Sequence, residues 1–435
     1  MTARLSTGPR WGRLRVPSHR ASSATLAGAY PFLTPEPCCL GALVGSDALS
    51  GEPFSFDPWA LYAAGVLTNP NVALAGVIGS GKSALAKSLA VRAIASGRRA
   101  YVPGDPKGEW SAVAEQVGGV VLRLGPGLPA RLNPLDAGTA DAAGQRSRVL
   151  TSVAESLLGH DLTPGERAAL DAAVAVMSGS SGREPVVSDV VAALIDPDPS
   201  QARDDGVALT DRVSDGRDVA HGLRRLVRGD LAGMFDGPST VSFDPNAPMV
   251  VVDLSALGSD DRAVAVAMTC AASWLEAALG TGVSEDEVRV GRWIIYDEAW
   301  RLLRSPALIR RMQAQWKLSR AHGIANLLVL HRLSDLDAVG ASGSESRALA
   351  AGLLADCSTR VIYRQESDQL TGTASALGLT DTERTLLPAL PRGCGLWKLP
   401  RSSHVVHHRL HDPDERNLYD TDSAMRNSRG FGEER

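Results

Sequence analysis

A chain of 435 residues, 44% hydrophobic and 22% charged, has the material for two or three folded domains, which excludes disorder of the whole. Its formal net charge of −4 supplies no global basic field for nucleic acid, and no run of 18 apolar residues offers a transmembrane helix. Five cysteines without a C-x-x-C pair argue against a disulfide framework, so the expectation is a cytoplasmic protein with no integral membrane segment, at most peripheral at the inner face of the cell membrane.

Residues 1–45 read as an arginine-rich, largely disordered leader: Arg4, Arg10, Arg13, Arg15 and Arg20 stand in a stretch that has no acid before position 36. The apolar run Val72-Ala-Leu-Ala75 then predicts a strand, and Leu85, Leu89 and Ile94 predict an amphipathic helix beginning at Ser83. Between them lies Gly76-Val-Ile-Gly-Ser-Gly81-Lys82-Ser83, a complete G-x-x-x-x-G-K-[ST] phosphate-binding loop in the strand-to-helix setting such a loop requires. Glycines allow backbone N–H groups to crowd phosphates and the helix N-terminus adds positive potential. Gly76, Gly79, Ser80, Gly81, Lys82, Ser83 and Ala84 are therefore the expected nucleotide-binding residues. Lys82 is expected to pair with the β- and γ-phosphates and the Ser83 hydroxyl to ligate Mg²⁺.

A second strand, Arg99 to Val102, ends in Gly104-Asp-Pro-Lys-Gly-Glu109, and a third, Gly119 to Leu124, leads to Leu132-Asn-Pro-Leu-Asp136. Strands alternating with helices predict an α/β fold with a mainly parallel sheet covered by helices on both faces, its first part spanning residues 46–136. From 137 to 235 the β-runs vanish and apolar residues recur at helical spacing (Leu150, Val153, Leu157; Leu170, Val174, Met177; Val187, Val191, Leu194), which predicts an all-α insertion. Thr163-Pro-Gly-Glu166 is a capping box that starts one of its helices, and Asp196-Pro-Asp-Pro199 interrupts it. The second part of the core, 236–411, resumes with Met249 to Asp253, Arg292 to Asp297, Asn326 to Leu330 and Arg360 to Tyr363. Gly395 to Lys398 and Val405 to Leu410 close an edge, and 412–435 read as a flexible tail.

Hydrolysis requires a second acidic element, on a strand beside the phosphate loop. Asp253 and Asp297 both end apolar runs, but only Asp297 is followed by an acid. Asp297 can hold Mg²⁺ while Glu298 orients and deprotonates the attacking water, so these form the expected Walker B pair and Asp253 is structural. His331 ends the following strand and is a candidate γ-phosphate sensor. Arg360 and Arg364 bracket a strand end where an arginine finger would serve a neighbouring subunit's site, and Arg320 is a third candidate; a surface salt bridge accounts for any one of them equally well. Asp105 and Glu109 fit either metal or water positioning or a solvated turn. His404 and His408 alternate to one strand face and His407 and His411 to the other, which argues against a metal site.

These residues resemble the HerA-FtsK superfamily of P-loop motors and, within it, the VirB/TraC-type ATPases of type IV secretion and conjugative transfer. The resemblance rests on Tyr30-Pro-Phe32, Phe56-Asp-Pro58, Thr68-Asn-Pro-Asn71, the phosphate loop, Asp105-Pro-Lys-Gly-Glu109, Leu132-Asn-Pro-Leu-Asp136, Asp297-Glu-Ala-Trp300 and Arg360-Val-Ile-Tyr-Arg-Gln365, in the expected order over about residues 25 to 410. It implies a RecA-like P-loop NTPase core, ATP and Mg²⁺ as ligands, a homo-oligomeric (hexameric) ring, and partners among the type IV secretion components at the cytoplasmic membrane face. Two departures stand out: only a short leader stands where the family's N-terminal domain is expected, and His331 holds a position where the family commonly has glutamine. A DNA-translocating ATPase of the HerA or FtsK kind, gripping DNA through a stripe of Arg304, Arg310, Arg311, Lys317 and Arg320, is the alternative. A nucleotide-gated assembly protein with little turnover is a second.

Overall fold

The computed structural model describes residues 40–136, 142–179, 183–241, 244, 246–258, 260–280, 290–304, 306–319, 322–330, 345–366, 370, 377–410 and 413–419. The described chain opens with a hairpin, β1 (Ala42–Asp47) and β2 (Pro53–Phe56), whose short and irregular apolar pattern carried no strand signal. Asp57 caps α1 (Pro58–Ala63), its carboxylate accepting from the Ala60 amide at 2.8 Å. β3 (Val72–Ala75) runs through the glycine loop into α2 (Lys82–Ala95), and β4 (Arg99–Asp105), α3 (Ser111–Gln116) and β5 (Val120–Arg123) follow. A run of helices comes next: α4 (Ala142–Leu158), α5 (Pro164–Gly179), α6 (Val187–Ile195), α7 (Pro199–Asp204) and α8 (Leu209–Arg228). The capping box at the start of α5 is formed, with Glu166 Oε2 accepting from the Thr163 amide at 2.7 Å. Strand and helix then alternate through β6 (Met249–Asp253), α9 (Asp261–Gly280), β7 (Arg292–Tyr296), α10 (Pro306–Ser319), β8 (Ile324–Leu330), α11 (Glu345–Ala355) and β9 (Thr359–Tyr363). After α12 (Asp381–Leu386), the chain forms β10 (Cys394–Lys398), β11 (Ser403–His408) and α13 (Pro413–Tyr419).

All the strands join one sheet in the order β2-β1-β11-β10-β9-β3-β8-β7-β4-β6-β5. From β9 to β5 every pair is parallel; β10, β11, β1 and β2 extend the β9 edge as an antiparallel annex. β3 shows how the sheet divides the core. Its four residues are all buried, Val72 and Leu74 packing with Leu85 and Leu89 of α2, while Ala73 and Ala75 join the opposite cluster with Leu328 and Leu330 of β8. Full burial of each of those leucines contributes about 1.5–3 kcal/mol, so the helix that carries Lys82 is fixed to the sheet by its own apolar face. The helical run α4 to α8 packs on the second cluster through Val153, Leu170, Val190 and Leu223.

Register at the phosphate loop is set just upstream by Thr68-Asn-Pro-Asn71. The buried Asn71 carboxamide oxygen accepts from the Asn326 amide at 3.1 Å and the Asn326 side chain at 2.9 Å, and its Nδ2 donates to Asp356 O at 3.3 Å. One side chain thus joins the entry to β3 with β8 and the segment before β9. Asn71→Ala leaves these groups unpaired and is expected to lower stability by about 2–3 kcal/mol, read as a shifted urea midpoint at constant m-value.

Candidate active site

Parallel strands end together, and the carboxyl edge of β3, β8, β7, β4 and β6 is where chemistry-bearing side chains collect. The glycine loop leaves β3 there. Gly79 and Gly81 adopt φ of 75° and 110°, left-handed values that glycine takes without steric cost. At Gly76 the requirement is space, since a Cβ would lie 2.5 Å from the Tyr363 Cβ. The loop is tied to β9 and to the turn before β10: the Val77 amide donates to Arg364 O at 3.0 Å, and the Gly393 amide donates to Ser80 O at 2.9 Å. Lys82 is buried and its ammonium donates to Val77 O at 2.9 Å, while the buried Ser80 hydroxyl donates to the same oxygen at 2.7 Å. A glycine cradle closed to side chains, with a buried ammonium at its base, fits a bound phosphate chain.

Asp297 and Glu298 follow β7 at the same edge. β7 is not the immediate neighbour of β3, as the sequence reading expected; β8 lies between them. Two strand spacings separate the phosphate loop from the acidic pair by about 10 Å, leaving room for phosphate and metal between them. Asp297 is buried and accepts from the Trp110 indole N–H at 2.8 Å. Glu298 is the single non-glycine residue with positive φ among the described residues, at 54°. The chain turns directly after the strand, and there Lys107 forms an ion pair with the Glu298 Oε1 and the Trp300 indole donates to Oε2 at 2.6 Å.

The segment from Asp105 to Ser111 organises the acidic side. Asp105 accepts from the Trp110 amide at 2.7 Å and the Lys107 amide at 3.2 Å, Trp110 reaches Asp297, and the Ser111 hydroxyl donates to Asp253 at 3.0 Å. Three strand ends, β4, β6 and β7, are laced by this one loop. Burial, helped by the nearby charges of Asp297 and Asp253, raises the Asp105 pKa to about 6. Burial opposes the Lys107 charge, but its hydrogen bond to Glu298 and the charges of Glu298, Glu109 and Asp297 outweigh that and push its pKa up. Glu109 turns the other way, 3.6 Å from the buried Lys87 ammonium of α2. Lys107 and Trp300 stood inside the motifs of the resemblance without a role assigned to them, and Trp110 was not singled out from sequence; a tryptophan directly after an acidic turn was the available signal.

Other predicted residues distribute unevenly. Ser83 and Ala84 open α2, both half-buried. Arg364 lies beside the phosphate loop, exposed, whereas Arg360 sits near the opposite end of β9, in register with Ala73, and donates to Leu377 O at 2.9 Å. His331, Arg320 and His411 lie outside the described residues, as does the side chain of Arg304. Of the basic stripe, Arg310 pairs with Asp161 at 2.7 Å, Arg311 is half-buried and Lys317 is exposed. His404 is buried against Asp47 at 3.3 Å, and His408 reaches the Ser88 hydroxyl at 3.1 Å.

Neither a protein-family model nor a curated protein sequence matches the chain. Solved structures do. VirB4 of Thermoanaerobacter pseudethanolicus superposes with a TM-score of 0.70 at 22% identity, covering 86% of this chain and 98% of that one. The unbound bacterial conjugative coupling protein TrwBdeltaN70 gives 0.57 at 15% identity over 90% of this chain and 93% of that one. The plasmid coupling protein TrwB in complex with ADP and Mg²⁺ gives 0.54 at 15% identity over 79% and 86%. The fold is the RecA-like P-loop fold that these structures share.

Proposed function

We propose that the protein is an ATP-hydrolysing motor of a type IV secretion or conjugative transfer system, coupling hydrolysis to assembly of the apparatus or to substrate translocation. The observation that carries this reading is the glycine cradle with Lys82 and the Asp297–Glu298 pair opening on one sheet edge, two strands apart, in a fold that covers nearly the whole VirB4 structure. TrwB has been solved with ADP and Mg²⁺ and with a non-hydrolysable ATP analogue, which supports the same ligands here.

Lys82 and the loop amides hold the β- and γ-phosphates, and Ser83 and Asp297 are the groups to hold Mg²⁺. The metal, when bound, draws charge from the phosphate oxygens. Glu298 orients a water and takes its proton as the new O–P bond forms at the γ-phosphate and the bond to the β-phosphate bridging oxygen breaks. The Trp110 indole, donating to Asp297 Oδ2, fixes the carboxylate that would hold the metal. Arg364, exposed beside the loop, is the better placed of the two candidate fingers for a neighbouring copy in a homo-oligomeric ring. Trp110→Phe, which removes the indole donor and keeps an aromatic ring, is expected to raise the Mg²⁺ concentration needed for half-maximal turnover about 10-fold or more. A Mg²⁺ titration of the ATPase rate measures it.

The DNA-pump alternative depends on the basic stripe between Arg304 and Arg320, and the Arg310–Asp161 pair already engages one of its five cations. The deciding experiment is ATP hydrolysis by the purified chain with and without DNA. Turnover indifferent to DNA supports the secretion motor, a several-fold rise with DNA supports the DNA pump, and no turnover in any oligomeric state overturns the enzyme reading in favour of a nucleotide-gated switch.

A further inference from the structure

Beyond the last residue of β9 the chain runs alongside the phosphate loop as Arg364 and Gln365. Gln365 is 1% exposed, and its amide nitrogen is buried without a hydrogen-bond partner among the described residues. A buried, unpaired amide carries a desolvation cost that folded proteins rarely leave standing, so an orphan donor points to a missing acceptor. Its location narrows the acceptor. Past the strand end Arg364 is exposed and Gln365 buried, the side on which the buried Tyr363 packs with Val361, Leu74 and Leu85 in the core covered by α2. This is the face over which the phosphate loop turns before α2 begins. Tyr363 lies against the loop itself, 2.5 Å from where a Gly76 Cβ would be and 3.6 Å from a Gly81 Cβ, and the neighbouring Arg364 carbonyl holds the Val77 amide at 3.0 Å.

The strand order β9-β3-β8-β7 sets direction. A triphosphate lying across the loop with its γ-end toward Asp297 and Glu298 must send its α-phosphate and nucleoside the other way, over β9. On the reading that the loop binds ATP, we infer that Gln365 is a further nucleotide-binding residue, its amide donating to an acceptor at the α-phosphate end. Such a contact is common to ATP and ADP and absent from the chemical step.

The test compares wild type, Lys82→Ala and Gln365→Met, full length, by calorimetric titration with ADP and with a non-hydrolysable ATP analogue, together with thermal melting without ligand and the ATPase rate. Gln365→Met keeps the side chain's length and removes its hydrogen-bonding groups. The expected result is about a tenfold rise in Kd for both nucleotides, unchanged kcat at saturating ATP, and a ligand-free Tm no lower than wild type, because an unsatisfied buried group has gone. Unchanged Kd overturns the inference, as does a loss confined to the ATP analogue, which would move the contact to the γ-phosphate. A ligand-free Tm that falls in parallel with affinity also overturns it, since the side chain would then be structural. Should Gln365→Met fail to fold, Gln365→Leu is judged by the same readings. Wild-type binding that Lys82→Ala abolishes upholds the phosphate-loop reading whatever Gln365→Met does; absence of wild-type binding removes both.

Discussion

Glu298→Gln is expected to bind ATP as wild type does and to hydrolyse it about 100-fold to 10,000-fold more slowly, the range by which a positioned general base accelerates proton transfer. The structure makes the substitution clean. The carboxamide keeps an oxygen for the Trp300 indole and keeps the turn at φ 54°, so the chain path over the edge is retained; what disappears is the basic carboxylate and its ion pair with Lys107. Single-turnover hydrolysis of labelled ATP separates this from a binding defect. Turnover near the wild-type rate would reject Glu298 as the base, leaving Asp105, buried at the end of the adjacent strand, as the next carboxylate to test.

Lys82→Ala is expected to abolish nucleotide binding while leaving the ligand-free fold at least as stable. Lys82 is 4% exposed, and a buried ammonium held by a carbonyl oxygen is not a strongly stabilising arrangement. Wild type should gain about 2.7 kcal/mol when nucleotide is supplied at one hundred times its Kd, and the variant should gain nothing. Thermal melts with and without ADP and Mg²⁺ read both quantities. A variant that melts well below wild type in the absence of ligand would instead make Lys82 a structural residue.

Much of this architecture was legible in the sequence because the relevant signals are local. The phosphate loop is a spacing motif between a strand and a helix, and the parallel strands announce themselves as short apolar runs; β3 and β6 keep the expected bounds and the others differ by at most three residues, as at β8, which starts at Ile324 rather than Asn326. The Asp297–Glu298 pair stands out in the sequence because two acids follow one such run. Strand order was not legible. Nothing in the spacing of Asp297 reveals that β8 slots between its strand and β3, since that is decided by which helices cross over which face. The same limit hid Trp110, whose indole bond to Asp297 spans 187 positions, and the difference between Arg360 and Arg364, four residues apart but at opposite ends of one strand. β1 and β2 escaped notice because Gly45 and Ser46 interrupt the first and Pro53 opens the second; β1 is held by β11 and β2 by β1, pairings that come from the annex as a whole.

The described sheet finishes at both sides in a strand of only four residues, β2 with Pro53 and β5 with Arg123. A short margin bearing an imino acid or a charge is a poor template for another chain's backbone, so ladder extension between copies is disfavoured. Any contact between copies of this chain should consequently leave the amide-exchange pattern of the margins unaltered, and the protein should resist seeding of fibrils through either side of the sheet.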